Sequence, residues 1–182
     1  MGNLTKKVKK KKSRKAKAKF TSLVVIATTV AFLNAAAAVY LREIYNIKTL
    51  LPSWGLNKQD IVFKFGDLMV LKQDLALKIL VDMNLLVTEQ IRQIAMLALV
   101  GAAVYMIGKK WSERVYLLLF VVGLWGVLYY AFLYAIIKWP TSLLSKDVIA
   151  LVPMPVIVPV YMPLLLSALT FIAGLFLILR SK

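Results

Sequence analysis

Tyr130 and Tyr134 stand four residues apart in a long apolar run, so on a helix their rings share one face, one turn apart. Such a pair on a membrane-length helix can line a groove for a lipophilic molecule: a quinone, a pigment or a lipid tail. Aromatic side chains there serve equally well to pack against neighbouring helices. Trp111, Tyr116 and Trp139, near the ends of the same run, suit the belt where amphipathic rings meet headgroups.

A second set with chemical potential is Asp74, Lys78 and Asp82. Their i,i+4 spacing forms two ion pairs along one helical stripe, and a docking contact with a partner is the functional role it allows. The third is the run Lys6, Lys7, Lys9, Lys10, Lys11, Lys12, Arg14, Lys15, Lys17 and Lys19, which contains no acid. Alone it is expected to be disordered. Near a membrane surface each of these charges contributes about 1 kcal/mol against anionic headgroups, and an acidic protein partner would attract it in the same way. No aromatic residue is interleaved before Phe20, so base stacking and nucleic-acid binding are not expected.

The exclusions are broad. The chain holds neither Cys nor His, which removes disulfides, His- or Cys-ligated haem, iron-sulfur clusters, ordinary zinc and copper sites, and Cys- or His-based catalysis. Phosphate-binding glycine motifs and the Ser-nucleophile elbow are absent too. The chain is therefore read as non-catalytic, with no cofactor bound covalently or by metal ligation. Lipid or quinone is the one ligand class left open.

The elements that must carry these residues follow from composition. Hydrophobic residues make up 61% of the chain, well above the share in soluble domains, and they gather into blocks near the roughly 20 residues that cross a hydrocarbon core. The reading is an all-α, polytopic integral membrane protein with about four transmembrane helices, at residues 20–41, 93–109, 115–138 and 160–180. The first block is too long for the apolar region of a cleaved signal peptide and is expected to remain as an anchor. Residues 42–92 form an extracytoplasmic segment with an amphipathic helix over 67–90, where Leu75, Ile79, Met83 and Leu86 lie across from the charged stripe. Making residues 68–87 a fifth span would sink Lys72, Asp74, Lys78 and Asp82 into lipid, at about 2.5–3.5 kcal/mol each. Four spans are the easier solution.

Orientation comes from Lys and Arg near the helix ends. The basic tail, residues 1–19, places the amino terminus in the cytoplasm. Alternation then puts the turn at 110–114 and the carboxyl terminus, with Arg180 and Lys182, on the same side. Between Phe20 and Tyr40, Ile94 and Gly108, Val115 and Ile137, and Val160 and Leu179 there is no Asp, Glu, Lys or Arg, which counts against an ion channel or pump formed by this chain alone. Asn34 and Ser167 offer cross-helix hydrogen bonds, while Gly101, Ala102, Ala103 and Gly123 would let helices approach closely.

Residues 139–159 are a proline-rich extracytoplasmic loop. Pro153, Pro155 and Pro159 forbid a regular helix there, and the apolar residues between them point to an extended, polyproline-like strap. Something must cover so apolar a strap, and a partner subunit is one candidate. The layout is like that of small auxiliary subunits of respiratory or photosynthetic complexes, an analogy of architecture. The expectation is an accessory or structural subunit in the cytoplasmic or bacterial inner membrane, stabilising or assembling a larger, energy-converting membrane complex. Its partners would be other membrane subunits and anionic headgroups. The alternatives are a lipid- or quinone-binding membrane module and a small five-span transporter.

Overall fold

A computed structural model of the chain describes residues 2–44, 58–72, 74, 83–150 and 156–181. It is mostly helical. Helices α1 (Gly2–Ile44), α2 (Met83–Ile107), α3 (Trp111–Ile137) and α4 (Tyr161–Arg180) are joined by strands β1 (Ile61–Phe65), β2 (Leu68–Leu71), β3 (Lys146–Ala150) and β4 (Val156–Pro159). Each helix contains a stretch long and apolar enough to cross a membrane: Ala18–Glu43, Val87–Ile107, Trp111–Ile137 and Tyr161–Arg180.

Helix α3 is the centre of the bundle and packs against the other three, whereas α2 and α4 barely touch each other. Leu23, Ala27 and Val30 of α1 recur at helical spacing, as do Met96, Val100 and Val104 of α2, and both rows close on Leu117, Phe120 and Val121 of α3. The Phe120 ring lies 5.3 Å from Phe20 and 5.2 Å from Phe171. Between α3 and α4 the backbones themselves meet. A Cβ at Gly123 would stand 2.6 Å from Phe171 Cα, and one at Gly174 would stand 2.8 Å from Phe120 Cα. Only glycine allows that approach.

The turn between α2 and α3 is closed by cations on carbonyls that have no partner within the helix. Lys19 Nζ donates to Ile107 O at 2.7 Å and Arg114 Nε donates to Gly108 O at 3.0 Å. At its other end α3 stops where Pro140 cannot continue it, since the residue before a proline disfavours helix. Lys138 takes a left-handed conformation there, φ 55°, and donates its N–H to Tyr134 O at 3.0 Å.

The all-α expectation is corrected by a four-stranded antiparallel sheet in the order β1-β2-β4-β3. Gly66, at φ +57°, makes the turn between β1 and β2, a conformation costly for other residues. Strand β4 then joins this hairpin to β3, with Met69 opposite Ile157 and Val148 opposite Ile157 on the other side. Met69, Leu71 and Ile157 form the sheet's own small core.

The sheet corrects two further expectations in part. Of the amphipathic helix expected over 67–90, residues 68–71 are strand and Met83 onward is helix, while residues 75–82 lie outside the described residues. Leu68–Leu71 gains a ladder from β1 and β4 that a surface helix would lack. Residues 156–159 are strand rather than polyproline-like. Val156, Ile157 and Val158 are β-branched, and Pro159 lies beyond the last residue paired with β2, where its missing N–H removes no bond on that side. The basic tail also differs from expectation, since helix runs unbroken from Gly2 into the first span. Lys, Arg and Ala are good helix formers, and a helix already nucleated by the apolar segment propagates without a new nucleus.

Candidate functional site

The carboxyl ends of α1 and α3 and the amino ends of α2 and α4 meet at one end of the bundle, where β3 forms a cap held to α1 and α3. Between the helices and this cap lies a cavity of about 580 Å³ to which all four helices contribute. Its volume falls in the ordinary range for small-molecule sites.

Two arginine-carboxylate pairs hold its polar end. Arg42 of α1 donates from Nη2 to Asp147 Oδ1 of β3 at 2.9 Å. The other carboxylate oxygen accepts from the Tyr130 hydroxyl of α3 at 3.1 Å, and the Val148 N–H donates to Oδ1 at 2.9 Å. Asp147 is only 5% exposed. The Arg42 guanidinium also lies over the Trp139 ring, 3.6 Å from its centroid, which adds a cation-π contact. One strand is thereby fastened to two helices.

The second pair lies within α2 and reaches α1 through Asn34. Arg92 grips Glu89 through both carboxylate oxygens, Nε to Oε2 at 2.7 Å and Nη2 to Oε1. The same Nη2 donates to Asn34 Oδ1 of α1 at 3.0 Å, and Gln93 Nε2 donates to Glu89 Oε1 at 3.0 Å. Buried charge is tolerated when its hydrogen-bonding capacity is met. Among the described residues no buried side-chain nitrogen or oxygen is left without a partner.

Electrostatics at the cavity are unbalanced. Arg42, Arg92, Lys138 and Lys146 face Glu89 and Asp147, four cations against two carboxylates. Burial pushes the Asp147 carboxyl above the usual carboxylate range, while Arg42, the Tyr130 hydroxyl and the Val148 N–H pull it back. Each acid sits with its own arginine, so among the described residues no carboxylate cluster suited to a metal forms.

The floor is of a different kind. Val122, Trp125 and Gly126 of α3 lie in the gap between α2 and α4, with Leu97 on one side and Ser167 on the other. At 1.5 Å per residue Val122 is about 22 Å along α3 from its end at Ile137. The cavity therefore runs from the sheet to mid-helix, charged at the top and apolar below.

Of the two tyrosines singled out by spacing, Tyr130 is buried and lines the cavity, whereas Tyr134 is 56% exposed and turns toward Lys138. Tyr129, next in sequence, lines the cavity instead, its ring 5.0 Å from that of Tyr130. Pro159 is buried in β4, and Asp74 is exposed. Pro153, Pro155, Lys78 and Asp82 lie outside the described residues. In the basic run Lys19 is held by Ile107 O, 3.9 Å from Glu113.

Asn34 makes the cross-helix bond its position suggests. A Cβ at Gly101, by contrast, would meet nothing within 4 Å. Arg42, Glu89, Arg92 and Asp147 are not among the residues that spacing singles out, because none of them lies within an apolar block. The available signal was that Asp147 is the one acid between the third and fourth spans. Compared with protein-family models, curated proteins and solved structures, the chain matches none.

Proposed function

We propose that the protein is a four-span membrane protein, both termini cytoplasmic, that holds an amphiphilic molecule in the capped cavity between its helices. The observation that carries this reading is the cavity's polarity. A charged, hydrogen-bonded end under the sheet grades into an apolar, aromatic floor between α2 and α4, which is how a site for a headgroup with an apolar tail is built. Lipid or quinone is the class it suits, and Tyr129, Tyr130, Trp125 and Trp139 are the rings that would contact it.

Purification in a mild, uncharged detergent followed by solvent extraction and mass spectrometry tests it. The expected result is one lipid or quinone species retained at near-stoichiometric amount, and much less of it from an Ala38→Trp variant, which fills the cavity from α1. Protein free of any amphiphile would sink the proposal.

A second reading, the accessory subunit, is favoured by β1. This strand is the outer edge of the sheet, and it exposes Val62, Phe63 and Phe65 at 53%, 55% and 73%. An apolar edge strand invites pairing with another chain. Larger subunits that co-purify, and are lost when Phe63 and Phe65 become Ser, would establish that role.

Orientation has its own test on this Cys-free chain. A Cys at position 74 is expected to react with an impermeant maleimide from outside the cell, and a Cys at position 110 only after permeabilisation. External reaction at 110 would reverse the topology.

A further inference from the structure

The excess charge of the cavity narrows the ligand class, an inference that rests on the amphiphile reading. Arg42 and Arg92 are each neutralised by a carboxylate. Lys146 has no acidic partner among the described residues, and Lys138 has only the Tyr134 ring, its Nζ 5.5 Å from the centroid. Both line the cavity at the sheet end, and both are exposed. Two uncompensated positive charges at the mouth of an otherwise charge-balanced pocket are a poor match for a neutral quinone ring. They match an anion with more than one oxygen.

Thr141 adds a hydroxyl at the same rim, and Trp139 a ring, both suited to the membrane interface. Helix ends at this level place the rim where lipid headgroups lie, while the floor between α2 and α4 can pass an apolar chain toward the bilayer. We infer that the cavity selects the phosphate headgroup of an acidic lipid, with Lys138 and Lys146 as its charge-recognising residues. The buried arginine pairs shape the pocket. The two lysines choose what enters.

Fluorescence quenching tests this with the full chain, in nanodiscs of dioleoylphosphatidylcholine. Trp54 and Trp111 are replaced by Phe, which leaves Trp125 and Trp139, both at the cavity, as the reporters. Brominated phosphatidylglycerol and brominated phosphatidylcholine are titrated in separate series. The acidic lipid is expected to quench at roughly tenfold lower membrane fraction. Lys138→Glu with Lys146→Glu should abolish the preference, and Lys146→Gln should reduce it. Lys109→Glu with Lys110→Glu, at the far end of the bundle, should leave it intact and so separates the site from general attraction by a basic protein.

Equal quenching by the two lipids would overturn the charge selection while leaving the amphiphile reading in place. No quenching by either lipid would overturn both. If millimolar inorganic phosphate relieved quenching as fully in the parent protein as an excess of unbrominated phosphatidylglycerol, the site would belong to a free phosphate and the lipid would be overturned. Retained preference in the double Lys variant would also end the proposal.

Discussion

Replacing Arg42 with Ala is expected to lower the apparent melting temperature of the detergent-solubilised protein by about 10 °C. The pair it breaks is nearly out of solvent, with side-chain exposures of 12% for Arg42 and 7% for Asp147. Removing one member of a buried ion pair costs about 3–5 kcal/mol, because the other charge stays buried without its partner. In a chain of this size each kcal/mol corresponds to roughly 2–4 °C. The loss also releases Trp139, against which the guanidinium stacks. Arg42→Lys retains a charge but not the planar fork and should fall between.

Arg42→Met combined with Asp147→Leu should recover most of the loss, since a well-packed apolar pair can replace a buried ionic one at little cost. The pH dependence has a definite sign. Burial raises the Asp147 carboxyl above its unfolded range, so the fold favours the protonated form. This group's contribution is fullest below the unfolded carboxylate value, near pH 4, and is lost as pH rises through the folded value. Without Arg42, the main opposing charge, the deficit of Arg42→Ala should widen with rising pH and shrink in acid. A deficit of under about 2 °C that does not change with pH would mean that Arg42 and Asp147 are not paired.

Why that pair was hidden while the spans were plain is a matter of range. An apolar block of 20 residues announces itself locally, and rows such as Leu23, Ala27 and Val30 can be read from spacing alone. Arg42 and Asp147 are 105 residues apart, and nothing local links the end of one helix to a strand after another. Asn34 was legible as a polar residue within a span, which must find a partner. Its partner, Arg92, was not.

The sheet was half legible. Gly66-Asp67 between IVFKF and LMVL has the form of a two-residue hairpin turn. The i,i+4 spacing of Asp74, Lys78 and Asp82 further on favours helix and carries that expectation back over Leu68–Leu71, which is strand. Strand β2 is fixed by its local ladder to β1 and by β4, far along the chain, the second a tertiary override of local pattern.

Glycine made the same lesson sharper, and it carries the other large expected effect. Gly123→Leu and Gly174→Leu should each lower the melting temperature by roughly 10 °C or prevent accumulation of folded protein, whereas Gly101→Leu should change it by less than about 2 °C. All three are glycines within apolar helices and look alike in sequence. At Gly123 and Gly174 the two nearest obstructing atoms are backbone, in Phe171 and Phe120 respectively, and backbone cannot rotate aside as a side chain can. Overpacking typically costs about 1–3 kcal/mol where side chains can adjust, and more where they cannot. Here α4 would have to lift from α3, which also opens the cavity floor at Gly126 and Ser167. Gly123→Ala is the smaller probe, although its single methyl still meets Phe171 Cα at 2.6 Å. Its expected loss is a few degrees, together with weaker retention of the proposed amphiphile. Gly101 faces open space, where a leucine would meet lipid or detergent. If Gly101→Leu proved as damaging as Gly123→Leu, the α3-α4 contact would not be the seam that holds this bundle together.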